Sequence, residues 1–154
     1  MKAFLVDDEF LQRKLVKKSV DWQSIGIELC GEAEDGEEAL EKIFMLKPDI
    51  LIMDINIPYV NGIEVSKRVK KVFPETQVII LTAYSDFEYA RKAIKFQVMD
   101  YLLKPLDTEE FLKNLNDAET KISNIRISQV SAKQLLANYL EGQYEDNGTQ
   151  YDLL

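Results

Sequence analysis

The sequence predicts an α/β fold, a (βα)5 doubly wound parallel sheet in the flavodoxin-like strand order 2-1-3-4-5, carrying an extended C-terminal helix. Three observations predict it. Apolar runs of four to six residues alternate with amphipathic stretches, the pattern of buried strands alternating with surface helices. Four of these runs end on residues suited to one polar pocket: Asp7 and Asp8 after AFLV, Asp54 after ILIM, Thr82 after VIIL, and Lys104 after DYLL. From Asp107 onward the chain has neither proline nor glycine until Gly142.

Strands are expected near residues 2–6, 27–33, 50–54, 77–82 and 99–103. Between them run helical stripes: Phe10, Leu11, Leu15 and Val16; then Ala39, Leu40, Ile43 and Phe44; then Ile63, Val65, Val69 and Val72; then Phe87, Ala90, Ala93 and Ile94. Strands separated by single helices run parallel, and right-handed crossovers place helices on both faces of the sheet. In such a sheet the ligand pocket lies at the carboxyl edge where the strand order reverses, between strands 1 and 3. Asp7, Asp8 and Asp54 sit at those two strand ends.

A single strand-end aspartate is ordinarily a helix cap or a turn residue. Three converging on one pocket are different, because each pair at about 4 Å repels by roughly 4 kcal/mol at an effective dielectric near 20. Lys104 offsets one charge and leaves two, which a divalent cation would neutralise. All-oxygen ligands select a hard ion, and Mg²⁺ suits a site of one or two carboxylates, waters and a phosphate oxygen. An aspartyl carboxylate can act as a nucleophile and form an acyl phosphate, and Asp54 is placed to do so. The cation and Lys104 would then stabilise charge on the transferring group.

On these motifs the chain resembles two-component response-regulator receiver domains (CheY-like) over roughly residues 1–120. The matching residues are Asp7-Asp8, Asp54 with Pro58 and Gly62 after it, Thr82-Ala83, and Lys104-Pro105. Asp21-Trp22, the stretch Gly31-Glu32-Ala33-Glu34-Asp35-Gly36, and Ala83-Tyr84-Ser85-Asp86-Phe87-Glu88-Tyr89-Ala90 are more particular. They resemble receivers that precede AraC-type DNA-binding domains, the YesN-like kind.

The resemblance implies that Asp8 and Asp54 ligate Mg²⁺ directly, that Asp7 acts closely or through water, and that Asn56 gives its backbone carbonyl. It also implies a cis bond between Lys104 and Pro105, which would aim the ammonium at the pocket. A phosphoryl group adds roughly −1.5 to −2 charge and three acceptor oxygens, so the Thr82 hydroxyl is expected to move toward it. Tyr101 is expected to rotate into the vacated space, as in similar receivers, and so to change the face formed by the fourth helix, fifth strand and fifth helix. Ile57 stands where many receivers have methionine, a roughly volume-conserving exchange.

The segment from Asp107 to about Gly142 reads as one helix, opened by Asp107 or Thr108 with Glu109 and Glu110. Phe111, Leu115, Ala118, Ile122, Ile125, Gln129, Ala132, Leu136 and Tyr139 recur at alternating steps of four and three, a heptad seam. Residues 121–142 are therefore expected to form a linker helix. It is either a parallel coiled-coil dimer, with Gln129 fixing register, or a helix that packs on a following domain or frays. Residues 143–154 are polar and read as a disordered tail or the opening of a further region.

Composition limits the function. The net charge of −8 argues against a chain that grips DNA by itself, so DNA would be reached only through an output domain beyond these residues. Cys30 alone allows no intrachain disulfide and fits a reducing cytoplasm. No apolar run approaches the roughly 18 residues that cross a membrane. There is no histidine, which excludes a phosphohistidine transmitter or a His-based triad. The phosphoryl donor is then a sensor histidine kinase or a small acyl phosphate. A phosphatase with an aspartyl nucleophile would need a second acid two residues later, where Asn56 stands. An inactive receiver-like module usually lacks the acids that are present here. The expected role is a phosphoacceptor that switches transcription, with self-catalysed phosphorylation and dephosphorylation as its only chemistry.

Overall fold

The computed structural model describes residues 1–83, 88, 91 and 99–151, with Met99 and residues 144–151 described by backbone alone. Five strands, β1 (Lys2–Val6), β2 (Glu28–Ala33), β3 (Ile50–Met53), β4 (Gln77–Thr82) and β5 (Met99–Leu103), form one parallel sheet in the order β2-β1-β3-β4-β5. The register aligns Val6 with Met53 and Ile80 with Tyr101, and a bulge interrupts the β1–β2 ladder between Ala3 and Phe4. Every residue of β3 is buried, which explains its unbroken apolar run: a central parallel strand meets helices on both faces.

The period-two alternation of the strands divides the core into two layers. Phe4, Val6, Leu51, Met53, Val78 and Ile80 face α2 (Gly36–Leu46) and α3 (Gly62–Val72). Ala3, Leu5, Ile50, Ile52, Ile79, Leu81 and Leu102 face the other way, toward Val16 of α1 (Phe10–Ser19) and Phe111, Leu115, Ala118 and Ile122 of the C-terminal helix. Trp22 meets Phe111 edge-on, with ring centroids 6.0 Å apart.

The caps follow the sequence signals. Asp35 Oδ1 accepts from the Glu38 amide at 2.8 Å, while the Glu38 carboxylate accepts from the Glu34 amide at 3.2 Å, satisfying donors at the α2 entrance. Asn61 caps α3 through the Glu64 amide at 3.0 Å. Asp107 accepts from the amides of Glu109 and Glu110 and so opens the C-terminal helix.

Three expectations are corrected. Of the apolar stripe assigned to α1 only Val16 is buried: Phe10, Leu11 and Leu15 are exposed, and the helix turns Arg13 inward beside Val16. The cause is polar, because the Arg13 guanidinium has acceptors waiting at the strand ends. The C-terminal helix runs from Thr108 through Tyr151, past Gly142 and through residues expected to be a polar tail. Val72 of the α3 stripe is also exposed. The stripe Phe87, Ala90, Ala93 and Ile94 lies outside the described residues.

The chain divides into two compact units, Met1–Ile122 and Ser123–Leu154. The first holds the sheet and both core layers. In the second, Ile127, Val130, Leu135, Leu136, Tyr139 and Leu140 are exposed.

Candidate functional site

β1 and β3 lie side by side, so their carboxyl ends bring Asp7, Asp8 and Asp54 together. One carboxylate oxygen from each lies within 4.8 Å of the others. Asp7 and Asp54 are buried and Asp8 is exposed. Lys104, just past β5, reaches across the sheet edge and donates to Asp7 Oδ2 at 3.0 Å and to Asp54 Oδ2 at 3.1 Å. The Lys104–Pro105 peptide is cis, and the Lys104 amide donates to the Thr82 carbonyl at 2.8 Å.

Burial pushes the Asp54 carboxyl above the usual range, and its contacts with Lys104 only partly oppose that rise. Burial alone would lower Lys104, but the hydrogen bond to Asp7 and the charges of Asp54 and Asp7 carry it above the ordinary lysine value. Three carboxylates with one ammonium leave an excess of two negative charges. An all-oxygen donor set with that excess fits a hard divalent cation such as Mg²⁺.

The loop after β3 is shaped by close approaches of backbone. A Cβ at Gly62 would lie 2.2 Å from the Asp54 carbonyl oxygen, and one at Gly36 would lie 2.0 Å from the Val60 carbonyl oxygen. Neither position admits a side chain without moving the loop. The Gly36 amide donates to the Pro58 carbonyl at 3.0 Å, tying the α2 entrance to this loop. Asn56 is exposed, and its amide donates to Asp54 Oδ1 at 3.3 Å.

Thr82 is fully buried at the end of β4, and its hydroxyl has no hydrogen-bond partner among the described residues. Such a group ordinarily costs about 1–3 kcal/mol unless an acceptor arrives. Tyr101 on β5 is half-buried beside the α2–α3 layer. All the residues expected from sequence, Asp7, Asp8, Asp54, Asn56, Thr82, Tyr101, Lys104 and Pro105, lie on strands β1, β3, β4 and β5 or just beyond their carboxyl ends.

Arg13 was not among the expected residues. Only 5% exposed, it donates from Nη1 to the Asp7 carbonyl at 2.7 Å. The signal available in the sequence was an arginine within two turns of the acidic pair, masked by the apolar residues around it.

The fold, with three carboxylates and a lysine at the carboxyl edge of its sheet, is that of a receiver-type module. Residues 3–116 match the response regulator receiver domain family, and the chain belongs to it. The transcriptional regulatory protein YesN of Bacillus subtilis is 37% identical over 126 residues, covering 80% of this chain and 34% of that protein. The chemotaxis protein CheY of Thermotoga maritima is 35% identical over 115 residues, covering 75% of this chain and 94% of that one. Among solved structures, the receiver domain of AraT from Geobacillus stearothermophilus aligns with a TM-score of 0.72 at 34% identity, covering 83% of this chain and 97% of that one. The chain thus contains the receiver domain of a two-component response regulator and resembles receivers of the YesN kind. It spans about a third of the length of YesN.

Proposed function

We propose that Asp54 is the phosphoacceptor. Its carboxylate oxygen attacks the phosphorus of a phosphohistidine on a sensor histidine kinase. A P–O bond forms as the P–N bond breaks, and the departing imidazole leaves as the neutral side chain of the donor after taking up a proton. The observation that carries this reading is the Lys104 ammonium bridging Asp7 and Asp54 in a pocket of three carboxylates. Asp7, Asp8, Asp54 and the Asn56 carbonyl would hold Mg²⁺, which when bound supplies positive charge to the phosphoryl oxygens. Lys104, already on Asp54 Oδ2, would stabilise the same charge.

The product carries oxygens that the orphaned Thr82 hydroxyl can serve as donor. Thr82 moves toward them, Tyr101 follows, and the β5 face changes. Residues 1–120 form the receiver and 121–142 a linker helix. Two copies pair through that helix, or through the face that contains β5. The switch reaches transcription through a DNA-binding region beyond this chain, in the cytoplasm. Among the described residues no helix is long and apolar enough to cross a membrane.

Intact mass after incubation with acetyl phosphate and Mg²⁺ tests the proposal, with sedimentation run on the same samples. A single phosphoryl mass that requires Mg²⁺ and disappears in Asp54→Ala is expected. A folded, Mg²⁺-binding protein that gains no mass from acetyl phosphate or from kinase would overturn it. A shift toward dimer on phosphorylation would support the pairing.

A further inference from the structure

We infer that Arg13 is a positioning residue for the metal pocket, fixing the peptide between Asp7 and Asp8 and with it the direction of the Asp8 carboxylate. The inference rests on the Mg²⁺ reading above and adds a residue to it.

Asp7 is held at every polar atom. Its amide donates to the Ala33 carbonyl at 3.2 Å, its Oδ1 accepts from the Glu9 amide at 2.9 Å, and its Oδ2 accepts from Lys104. Its carbonyl accepts from Arg13 Nη1 at 2.7 Å. The exposed Asp8 carboxylate, by contrast, has no hydrogen bond or ion pair among the described residues. Only the backbone therefore aims it. The backbone on its N-terminal side is the peptide whose carbonyl Arg13 grips.

Stability alone does not account for a buried arginine at this position. The guanidinium lies 3.5 Å from Glu34 Oε1 and its Nε 3.9 Å from Glu32 Oε1, with no hydrogen bond to Nε. Replacing such buried ionic groups by apolar side chains is often neutral or stabilising, and an apolar residue here would extend the buried face begun by Val16. An apolar residue could not donate to the Asp7 carbonyl. The two glutamates at the end of β2 instead anchor the guanidinium, so that β2, α1 and the Asp7–Asp8 peptide are linked through one side chain.

Partners that orient ligands typically contribute 10–100-fold to metal affinity. Calorimetric titration with Mg²⁺ of the full chain, wild type against Arg13→Gln and Arg13→Lys, reads this directly. Weakening of about tenfold or more is expected in Arg13→Gln, with partial recovery in Arg13→Lys, which keeps a cationic donor nitrogen. The acetyl phosphate reaction should need correspondingly more Mg²⁺ for half its maximal rate while the rate at saturating Mg²⁺ is unchanged. Circular dichroism melts establish the folded fraction of each variant, and Arg13→Lys carries the comparison where Arg13→Gln does not fold. Equal Mg²⁺ affinity in folded wild type and variant would overturn the inference. So would an affinity loss matched by the same loss of saturated rate and of folded protein. A wild type that binds no Mg²⁺ would remove the metal reading itself, a distinguishable failure.

Discussion

The two compact units use their apolar residues in opposite ways. In Met1–Ile122 the large apolar side chains of β1, β3 and β4 are enclosed, and the buried carboxylates of Asp7 and Asp54 meet the part-buried ammonium of Lys104. In the unit from Ser123 the apolar residues Leu135, Leu136, Tyr139 and Leu140 are all more than half exposed. The first unit encloses a core of its own, although Phe10, Leu11 and Leu15 of α1 stay exposed. The second has an apolar stripe and nothing of its own to place against it, as a segment does whose partner is another chain or a further domain.

That difference predicts unequal responses to the same kind of change. Phe111→Ala removes a fully buried ring and should lower stability by about 3–5 kcal/mol, read as a shift in the urea midpoint. Leu136→Ala, on the exposed stripe, should change the stability of the monomer by no more than about 0.5 kcal/mol. If the two losses were similar, the contrast between the units would fail. A Leu136→Ala loss that grows with protein concentration would sharpen it by placing a second copy on the stripe.

Charge gives a somewhat smaller effect, and a pH-dependent one. Lys104→Ala leaves two buried carboxylates without a cation and should cost about 1–3 kcal/mol near neutral pH without Mg²⁺. The signs follow from the shifts. Lys104 is raised, so its contribution is present below the ordinary lysine value and is lost only as the solution becomes strongly alkaline. Asp54 is also raised, so its ionised form in the folded state is a burden that grows as pH climbs through its elevated pKa. The defect of Lys104→Ala should therefore shrink as the solution is acidified toward that pKa, and Mg²⁺ should restore part of it. Thermal melts across pH with and without Mg²⁺ check this. A defect independent of both would contradict the site's electrostatics.

Glycines provide the smallest and cleanest contrast. Gly36→Ala drives a methyl into the Val60 carbonyl and should cost about 1–3 kcal/mol. At Gly142 an added Cβ meets nothing within 4 Å, so Gly142→Ala should favour the helix by up to about 1 kcal/mol. Hydrogen exchange of the flanking amides reads the second effect. Opposite signs at the two positions are expected.

How much of this was legible in the sequence depends on the physics behind each element. The strands were legible because a parallel strand covered on both faces must be an apolar run, as ILIM is. The site acids were legible because they stand at the ends of those runs. The inward face of α1 was legible only at Val16, because Phe10, Leu11 and Leu15 have helical spacing but face outward, while a charged residue, Arg13, faces in. Burial of that arginine depends on the Asp7 carbonyl just past β1 and on two carboxylates, Glu32 and Glu34, at the end of β2, which helical periodicity does not encode. The continuation of the C-terminal helix past Gly142 was not legible either. An exposed glycine costs a helix only about 1 kcal/mol relative to alanine, so Gly142 does not stop it, and the helix is described as far as Tyr151.

Whether Asp54 carries the phosphoryl group can be read chemically. Borohydride reduces an aspartyl phosphate to homoserine, which peptide mass spectrometry then locates in the chain. After treatment with acetyl phosphate and Mg²⁺, homoserine at position 54 alone, absent without Mg²⁺, is the predicted result. Homoserine at position 7 or 8, or none in folded protein that binds Mg²⁺, would contradict the account.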